Sequence, residues 1–140
     1  MLTAGVASYR VWLQQNLPAG EIYSGHSLGE YSALVCAGSM EFSDAIRLVA
    51  ERGRLMQSAV AEGEGAMAAI IGLDDADVVR ACAEVEQGIV SAVNFNSPGQ
   101  VVIAGAAGAV DRTITLCKER GARRALPLPV SAPFHSPLMA

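Results

Sequence analysis

Two stretches of the sequence predict an α/β fold. From about Ala66 to Val130, apolar runs and helical patterns follow the order β-α-β-β-α-β, which is typical of a ferredoxin-like split βαβ unit. Upstream, a short extended stretch at 21–24 leads into a helical pattern and so forms half of a parallel βαβ unit. Because a parallel sheet needs several such units, we expect this chain to be part of a larger fold.

The composition excludes several classes of protein. The 140 residues are 51% hydrophobic but only 5% aromatic, so the core must consist mostly of Ala, Val, Leu and Ile. A net charge of −4 argues against nucleic acid as the main partner. No stretch approaches the roughly 20 apolar residues of a membrane span, and no apolar run of signal length begins the chain. We therefore expect a cytoplasmic protein with no membrane contact.

The cysteines and histidines predict neither a disulfide nor a metal site. Cys36, Cys82 and Cys117 are widely spaced and odd in number, and no C-x-x-C pair occurs. The two histidines, His26 and His135, do not form a spaced ligand set. We expect three small buried thiols in a reducing compartment, and no metal.

The N-terminal part is predicted to contain three helices. Apolar residues recur at helical spacing in three stretches, and proline or glycine ends the first two. A hydroxyl and an acid at Ser43 and Asp44 are typical of the start of the third. We therefore expect helices over about residues 2–17, 30–37 and 43–60.

The composition changes at Glu62, where the sequence Glu62-Gly63-Glu64-Gly65 is typical of a hinge. Short apolar runs bounded by turn residues then alternate with amphipathic stretches. Ser97-Pro98-Gly99 predicts the turn of a hairpin, and Gly121 predicts the end of the second helix. We expect strands at about 66–72, 89–96, 100–104 and 123–130, and helices at about 74–87 and 108–120.

The pentapeptide Gly25-His26-Ser27-Leu28-Gly29 fits the pattern G-x-S-x-G. A nucleophile elbow has this pattern between a strand and a helix, because the serine must project from a sharp turn. The two glycines keep side chains away where the backbone doubles back. We predict Ser27 as a nucleophile, with the Leu28 N–H at the helix N-terminus as an oxyanion donor.

The same serine has a purely structural interpretation. Ser27-Leu28-Gly29-Glu30 also fits S-x-x-E, the capping box, in which the serine would only cap the following helix. The pentapeptide by itself leaves both interpretations open, and other residues must decide between them.

Arg52 falls in an apolar arc of the third helix. At about 100° per residue, it lies among Ala45, Leu48, Leu55 and Ala59. Burying an unpaired guanidinium is costly, so this arginine needs a partner. It is either a snorkelling or ion-paired structural residue, or a fork that holds a carboxylate through two hydrogen bonds.

A histidine in the proline-rich tail is the candidate general base. His135 lies in the loop from Ser131 to Pro137, well downstream of Ser27. His26 suits this role less, because adjacent residues on a tight turn point apart. A histidine facing the serine would take its proton and then return it to a leaving thiol.

Longer motifs surround these residues. They are Gly25–Leu34, Arg52-Gly53 with Met56-Gln57, Asn94–Gln100, and Pro129–Ser131 up to His135. In this order they resemble the malonyl-CoA:acyl carrier protein transacylase family of bacterial fatty acid synthesis and, more loosely, the acyltransferase domains of polyketide synthases. The resemblance covers nearly the whole chain.

The resemblance implies a partial hydrolase-like α/β core with an inserted ferredoxin-like subdomain. Residues 1–61 and 131–140 would belong to the core, and residues 62–130 would form the small subdomain. It implies transfer of a malonyl group from malonyl-CoA to the phosphopantetheine thiol of acyl carrier protein, through a malonyl-serine and without a cofactor.

The resemblance also implies roles for individual residues. Ser27 would carry the malonyl ester, His135 would activate it, and Arg52 would hold the free carboxylate. A bulky residue before the histidine, here Phe134, is typical of malonyl-selective members because it crowds out branched acyl groups. The remaining residues expected around the substrate are His26, Leu28, Asn94 and Asn96, of which the two asparagines would line the cleft between the subdomains.

The chain departs from the family in length. Family members are considerably longer, and their Gly-Gln-Gly loop and the residue that orients the histidine have no counterpart here. Each such loss can reduce the rate by a factor on the order of a hundred. We therefore expect a fragment or truncated gene product.

Two other functions fit parts of the pattern. A serine hydrolase shares Ser27 but needs an acid between serine and histidine. The available acids, Asp74, Asp75, Asp77 and Asp111, lie in or at the start of the predicted helices, and an apolar pocket has no use for Arg52. A non-catalytic interaction remnant of an acyltransferase is the third possibility.

Overall fold

Three helices precede a four-stranded antiparallel sheet in the computed structural model, which describes residues 1–130 and 132–140. These residues form two compact units, Met1–Arg54 and Leu55–Ala140. The helices that begin in the first unit are α1 (Leu2–Gln14), α2 (Leu28–Cys36) and α3 (Phe42–Ser58). The second unit contains β1 (Gly65–Ile71), α4 (Asp75–Ala83), β2 (Val90–Ser97), β3 (Gln100–Ala106), α5 (Ala107–Glu119), β4 (Arg124–Pro127) and a short 3-10 helix (Pro137–Met139).

A small apolar cluster holds the first unit together. Leu2 and Val6 from α1 and Ala45 from α3 are buried at its centre. Partly buried side chains complete it, from α2 (Tyr31, Val35, Cys36) and from Met40, Phe42 and Val49. The three helices therefore share one core, and the start of α2 is fixed by helices on either side of it in the sequence.

The second unit confirms the predicted ferredoxin-like order. Its strands lie in the order β2-β3-β1-β4, and every neighbouring pair is antiparallel. Helices α4 and α5 cover one face of the sheet, where Ile70, Val78, Ile103 and Val110 are buried in one cluster. The other face carries a smaller cluster of Met67, Val102 and Ala104, against which Val93, Leu128 and Phe134 pack.

The strand expected at residues 21–24 is absent from the described structure, so that prediction was wrong. The segment has an irregular, non-helical backbone and enters α2 directly after Ser27. A strand exists only when a neighbour supplies its backbone hydrogen bonds, and the four-stranded sheet does not include this segment. Instead, the Tyr23 hydroxyl contacts the Tyr9 hydroxyl on α1, and the two rings meet edge to face.

Several predicted elements are shorter than expected, and each has a local cause. Helix α1 ends at Gln14, because Asn16 has a φ of 56° and the Trp12 indole N–H donates to the Pro18 carbonyl. Helix α4 ends at Ala83, and the Arg112 guanidinium contacts the Gln87 carbonyl in the loop that follows. Strand β4 covers only Arg124–Pro127, because proline has no N–H for the ladder.

The three cysteines are free thiols, as expected, but only two are buried. Cys82 on α4 and Cys117 on α5 lie in the core under the sheet, whereas Cys36 at the end of α2 is only half-buried. Burial raises the pKa of all three thiols. Among the described residues, no helix combines the length and the apolar character that a membrane crossing requires.

Candidate functional site

Ser27 lies in a strained turn that joins residues 21–26 to α2. Its φ of 55° and ψ of −110° are values that glycine adopts readily and other residues rarely do. A Cβ atom at Gly25 would lie 2.1 Å from the carbonyl carbon and oxygen of Gly29, so only glycine fits at that position. The sharp turn that the G-x-S-x-G pattern predicts is therefore present, although the strand before it is not.

The hydroxyl of Ser27 does not cap α2. Ser27 occupies the N-cap position, yet no hydrogen bond joins its side chain to the first turn of this helix. The Ser27 Oγ instead accepts a hydrogen bond of 2.8 Å from Nη2 of Arg52 on α3. The capping-box interpretation is therefore wrong, and the hydroxyl points toward a cation.

The neighbours of Ser27 differ in exposure. Leu28 is half-buried and is the first residue of α2, where the helix itself does not use the backbone N–H. His26 is exposed, and its carbonyl accepts a hydrogen bond of 2.9 Å from the Gly29 N–H, which closes the turn. The positive end of the α2 dipole therefore lies next to the serine.

Arg52 is held from two sides. Its guanidinium donates to Ser27, and its central carbon lies 5.9 Å from the centre of the Tyr31 ring. The apolar arc expected around it is buried only in part, since Ala45 is fully buried whereas Leu48 is 48% and Leu55 is 52% exposed. Arg52 itself is half-buried, as a snorkelling side chain would be, and it contacts a hydroxyl and an aromatic ring.

His135 and Phe134 belong to the second unit. The loop around them is anchored by buried Ala132, Pro133 and Ser136, and the Ser136 hydroxyl accepts a hydrogen bond from the Leu138 N–H. His135 is exposed and has a φ of 64°, so it lies at the tip of a tight turn. Ser131, which begins this loop, lies outside the described residues.

Asn94 and Asn96 lie on β2, which is an edge strand. Asn94 is half-buried and pairs with Val102 of β3, whose side chain belongs to the cluster that Phe134 packs against. Asn96 is exposed, in a stretch where the strand register shifts. Because of these shifts, the usual alternation of side chains between the two faces of a sheet does not show on which face each asparagine lies.

Of the predicted site residues, the first unit brings together Ser27, His26, Leu28 and Arg52. The second unit carries His135, Phe134 and both asparagines. The sequence patterns assign no role to Tyr31, although its position one helical turn after Ser27 places it on the same side of α2. No cluster suited to a metal ion occurs among the residues that the structure describes.

Comparisons with known proteins match nearly the whole chain. The sequence profile of the acyl transferase domain matches residues 4–140. The malonyl CoA-acyl carrier protein transacylase of Escherichia coli K12 is 64% identical over 140 residues, which cover 99% of this chain and 45% of that protein. An acyl carrier protein S-malonyltransferase from Vibrio cholerae has a TM-score of 0.95 and 60% identity, and the match covers 99% of this chain and 45% of that one.

A further solved structure is a malonyl-transacylase in complex with a type II PKS acyl-carrier protein. It has a TM-score of 0.95 and 61% identity, again over 99% of this chain and 45% of that one. The chain thus spans less than half the length of the relatives it matches. Because the profile covers nearly every residue, the chain belongs to the acyl transferase domain family.

Proposed function

We propose that the protein carrying this chain transfers a malonyl group from malonyl-CoA to the phosphopantetheine thiol of acyl carrier protein. The relatives that bear this activity in their names are up to 64% identical to the chain. One observation carries the proposal within the chain itself, namely the 2.8 Å hydrogen bond from Arg52 to the Ser27 hydroxyl. The reaction needs no cofactor, and its expected location is the cytoplasm.

In the first half-reaction, the Ser27 Oγ attacks the thioester carbonyl carbon of malonyl-CoA. The new C–O bond forms, and the C–S bond to coenzyme A breaks. His135 takes the hydroxyl proton and gives it to the departing thiolate. The Leu28 N–H, at the positive end of α2, stabilises the oxyanion that develops on the carbonyl oxygen.

Arg52 supplies the reason to favour malonate over a neutral acyl group. In a malonyl ester on Ser27, one methylene group separates the ester carbonyl carbon from the free carboxylate. The carboxylate is therefore within reach of the Arg52 guanidinium, which already contacts the Ser27 Oγ. Arginine binds carboxylates through two parallel hydrogen bonds. A hydrolase of neutral esters would gain nothing from a cation beside its nucleophile, which disfavours that alternative.

In the second half-reaction, the thiol of the carrier protein attacks the malonyl ester. The C–S bond forms and the C–O bond to Ser27 breaks, while His135 passes the thiol proton back to the serine. For this step we propose that residues 1–61 and 131–140 form part of a large core and residues 62–130 a small subdomain. Asn94, Asn96, His26 and Phe134 would contact the substrate.

The proposal is tested by intact mass after incubation with malonyl-CoA. We expect one malonyl increment, which Ser27→Ala abolishes. Arg52→Ala should slow malonyl loading about 10- to 100-fold, because it removes a charge-assisted pair of hydrogen bonds, while acetyl loading from acetyl-CoA changes little. Arg52→Lys should recover only part of the loss, because it keeps the charge but not the fork.

Arg54→Ala is the matched control. Arg54 lies two residues further along α3, is exposed, and pairs with Glu51 through hydrogen bonds of 2.5 and 2.9 Å. Its removal should leave loading unchanged. Equal slowing of malonyl and acetyl loading by Arg52→Ala would contradict the carboxylate role.

The experiment also separates the remaining alternatives. Faster hydrolysis of a neutral ester than malonyl loading would favour a serine hydrolase. A folded 140-residue chain that takes up no malonyl group, while the complete gene product does, would identify the chain as an inactive piece that needs further sequence.

A further inference from the structure

We propose that Tyr31 is a positioning residue that holds the Arg52 guanidinium beside Ser27, and thereby sets the preference for acyl groups that carry a carboxylate. This inference rests on the proposed function, and it concerns a residue to which the sequence patterns assign no role. Tyr31 lies on α2, and Arg52 reaches it from α3.

The Arg52 guanidinium needs a support. Its side chain is long and only half-buried, and one hydrogen bond to a hydroxyl does not fix a guanidinium in one orientation. The Tyr31 ring, 5.9 Å from the guanidinium carbon, supplies a second contact of the cation–π kind. Together these two contacts restrict where the guanidinium can lie.

The Tyr31 ring is itself fixed. It packs against the cluster formed by Leu2, Val6 and Ala45, which joins all three helices of the first unit. Tyr31 also lies one helical turn after Ser27, which is the N-cap residue of α2. The Tyr31 ring and the nucleophile therefore belong to one short rigid element. The ring therefore does not move with the arginine that it supports.

An aromatic ring suits this role better than an acidic side chain does. A carboxylate partner would neutralise the guanidinium and occupy the N–H donors that the substrate needs. A ring contacts the face of the guanidinium and leaves its edge donors available for Ser27 and for a carboxylate. The contact thus holds the cation without using up its binding capacity.

The chain contains a matched pair elsewhere. The Arg10 guanidinium carbon lies 5.4 Å from the centre of the Phe42 ring, and Phe42 packs against the same apolar cluster as Tyr31. Phe42→Leu should therefore cost similar packing and one cation–π contact without touching Ser27 or Arg52. It separates loss of stability from loss of positioning.

The test compares Tyr31→Phe, Tyr31→Leu and Phe42→Leu in the complete gene product that carries this chain. Loading rates are measured against malonyl-CoA and acetyl-CoA concentration, and the Arg52 Nε–H signal is followed by NMR. We expect Tyr31→Leu to raise KM for malonyl-CoA about 3- to 30-fold, with a smaller change in kcat. The ratio of the malonyl loading rate to the acetyl loading rate (the malonyl-to-acetyl ratio) should fall. Tyr31→Phe should restore the ratio, and Phe42→Leu should not alter it.

The NMR measurement reports on the contact independently of activity. A proton above an aromatic face is shifted upfield, so the Arg52 Nε–H signal should move downfield in Tyr31→Leu and stay in place in Phe42→Leu. An unmoved signal, or an unchanged malonyl-to-acetyl ratio in Tyr31→Leu, would overturn the inference. Absence of malonyl loading in the unmodified protein would instead overturn the proposed function, and the NMR result would still decide whether Tyr31 holds Arg52.

Discussion

The backbone of Ser27 stores strain that its surroundings must offset. A non-glycine residue with such dihedral angles costs on the order of 1–3 kcal/mol, and such residues cluster at functional sites. The strain has a visible consequence, since it directs the hydroxyl away from the first turn of α2 and toward Arg52. A serine that served only as a cap would have an extended backbone and no reason to be strained.

Gly25 and Gly29 flank this serine but differ in what they tolerate. We expect Gly25→Ala to lower the midpoint of thermal unfolding by several degrees and to abolish malonyl loading, because its Cβ would overlap the Gly29 carbonyl at 2.1 Å. A Cβ at Gly29 meets nothing outside its own helix within 4 Å. Gly29→Ala should therefore raise the stability of α2 by up to about 1 kcal/mol.

Thermal unfolding followed by circular dichroism measures the stability of the Gly25→Ala and Gly29→Ala variants. A Gly25→Ala protein as stable as the unmodified one would show that the turn opens in solution, and the elbow geometry would then be wrong.

The site was predictable from the sequence only where residues close together in the sequence determine its geometry. The turn at Ser27 follows from two glycines and a serine at fixed spacing, so the pentapeptide suffices to place it. The contact between Tyr31 and Arg52 joins two helices, and no spacing rule connects those positions. The prediction of a strand at 21–24 was wrong for a similar reason, because a strand depends on the neighbouring strands that pair with it as well as on its own residues.

At the level of elements, the second unit was the more predictable part. Each of its strands and helices forms from a short pattern bounded by glycine or proline, and neighbouring elements pair with each other or across one crossover. The predictions for this unit were wrong only at the ends of elements. An example is the end of α4, after which the Gln87 carbonyl contacts Arg112 of α5, 25 residues further along the sequence. Side-chain contacts of that kind leave no periodic signal.

The thiols of α4 and α5 make the stability of the second unit depend on pH. Burial, together with the nearby Cys117, raises the pKa of Cys82 from its ordinary value of 9.0 to about 12. A raised thiol pKa means that the folded state keeps its proton when the unfolded chain has lost it. Its contribution to stability is therefore complete below pH 9 and falls as the pH rises from 9 toward 12.

Urea unfolding at pH 8 and pH 10 measures this effect. We expect the free energy of unfolding to fall less over this range in Cys82→Ala than in the unmodified protein, because the variant lacks the titrating thiol. All other ionisable groups are the same in the two proteins, so the difference between them reports on Cys82. An identical pH dependence in the two proteins would mean that the Cys82 thiol ionises as readily in the folded state as in the unfolded one.

At the level of the whole molecule, the two units differ in how much apolar surface they bury. Within the described residues, the first unit buries only Leu2, Val6 and Ala45 at its centre, whereas the second has a core shared by a sheet and two helices. Seven large apolar residues of the first unit are between 40% and 89% exposed, namely Val11, Trp12, Leu13, Leu17, Ile22, Ile46 and Leu48. Such a surface is typical of a contact region, and the relatives contain further sequence that this chain lacks.

This difference predicts unequal local stability, which amide hydrogen exchange can measure in the 140-residue chain. We expect the amides of β1, β3 and α5 to exchange at least about tenfold more slowly than those of α1, α2 and α3, because opening the larger core exposes more apolar surface. Gly105→Ala is the matched perturbation, since its Cβ would lie 2.0 Å from the Ile89 carbonyl oxygen and separate β2 from β3. It should speed exchange in the sheet and leave α1–α3 unchanged, whereas equal protection throughout the chain would mean that both units open together.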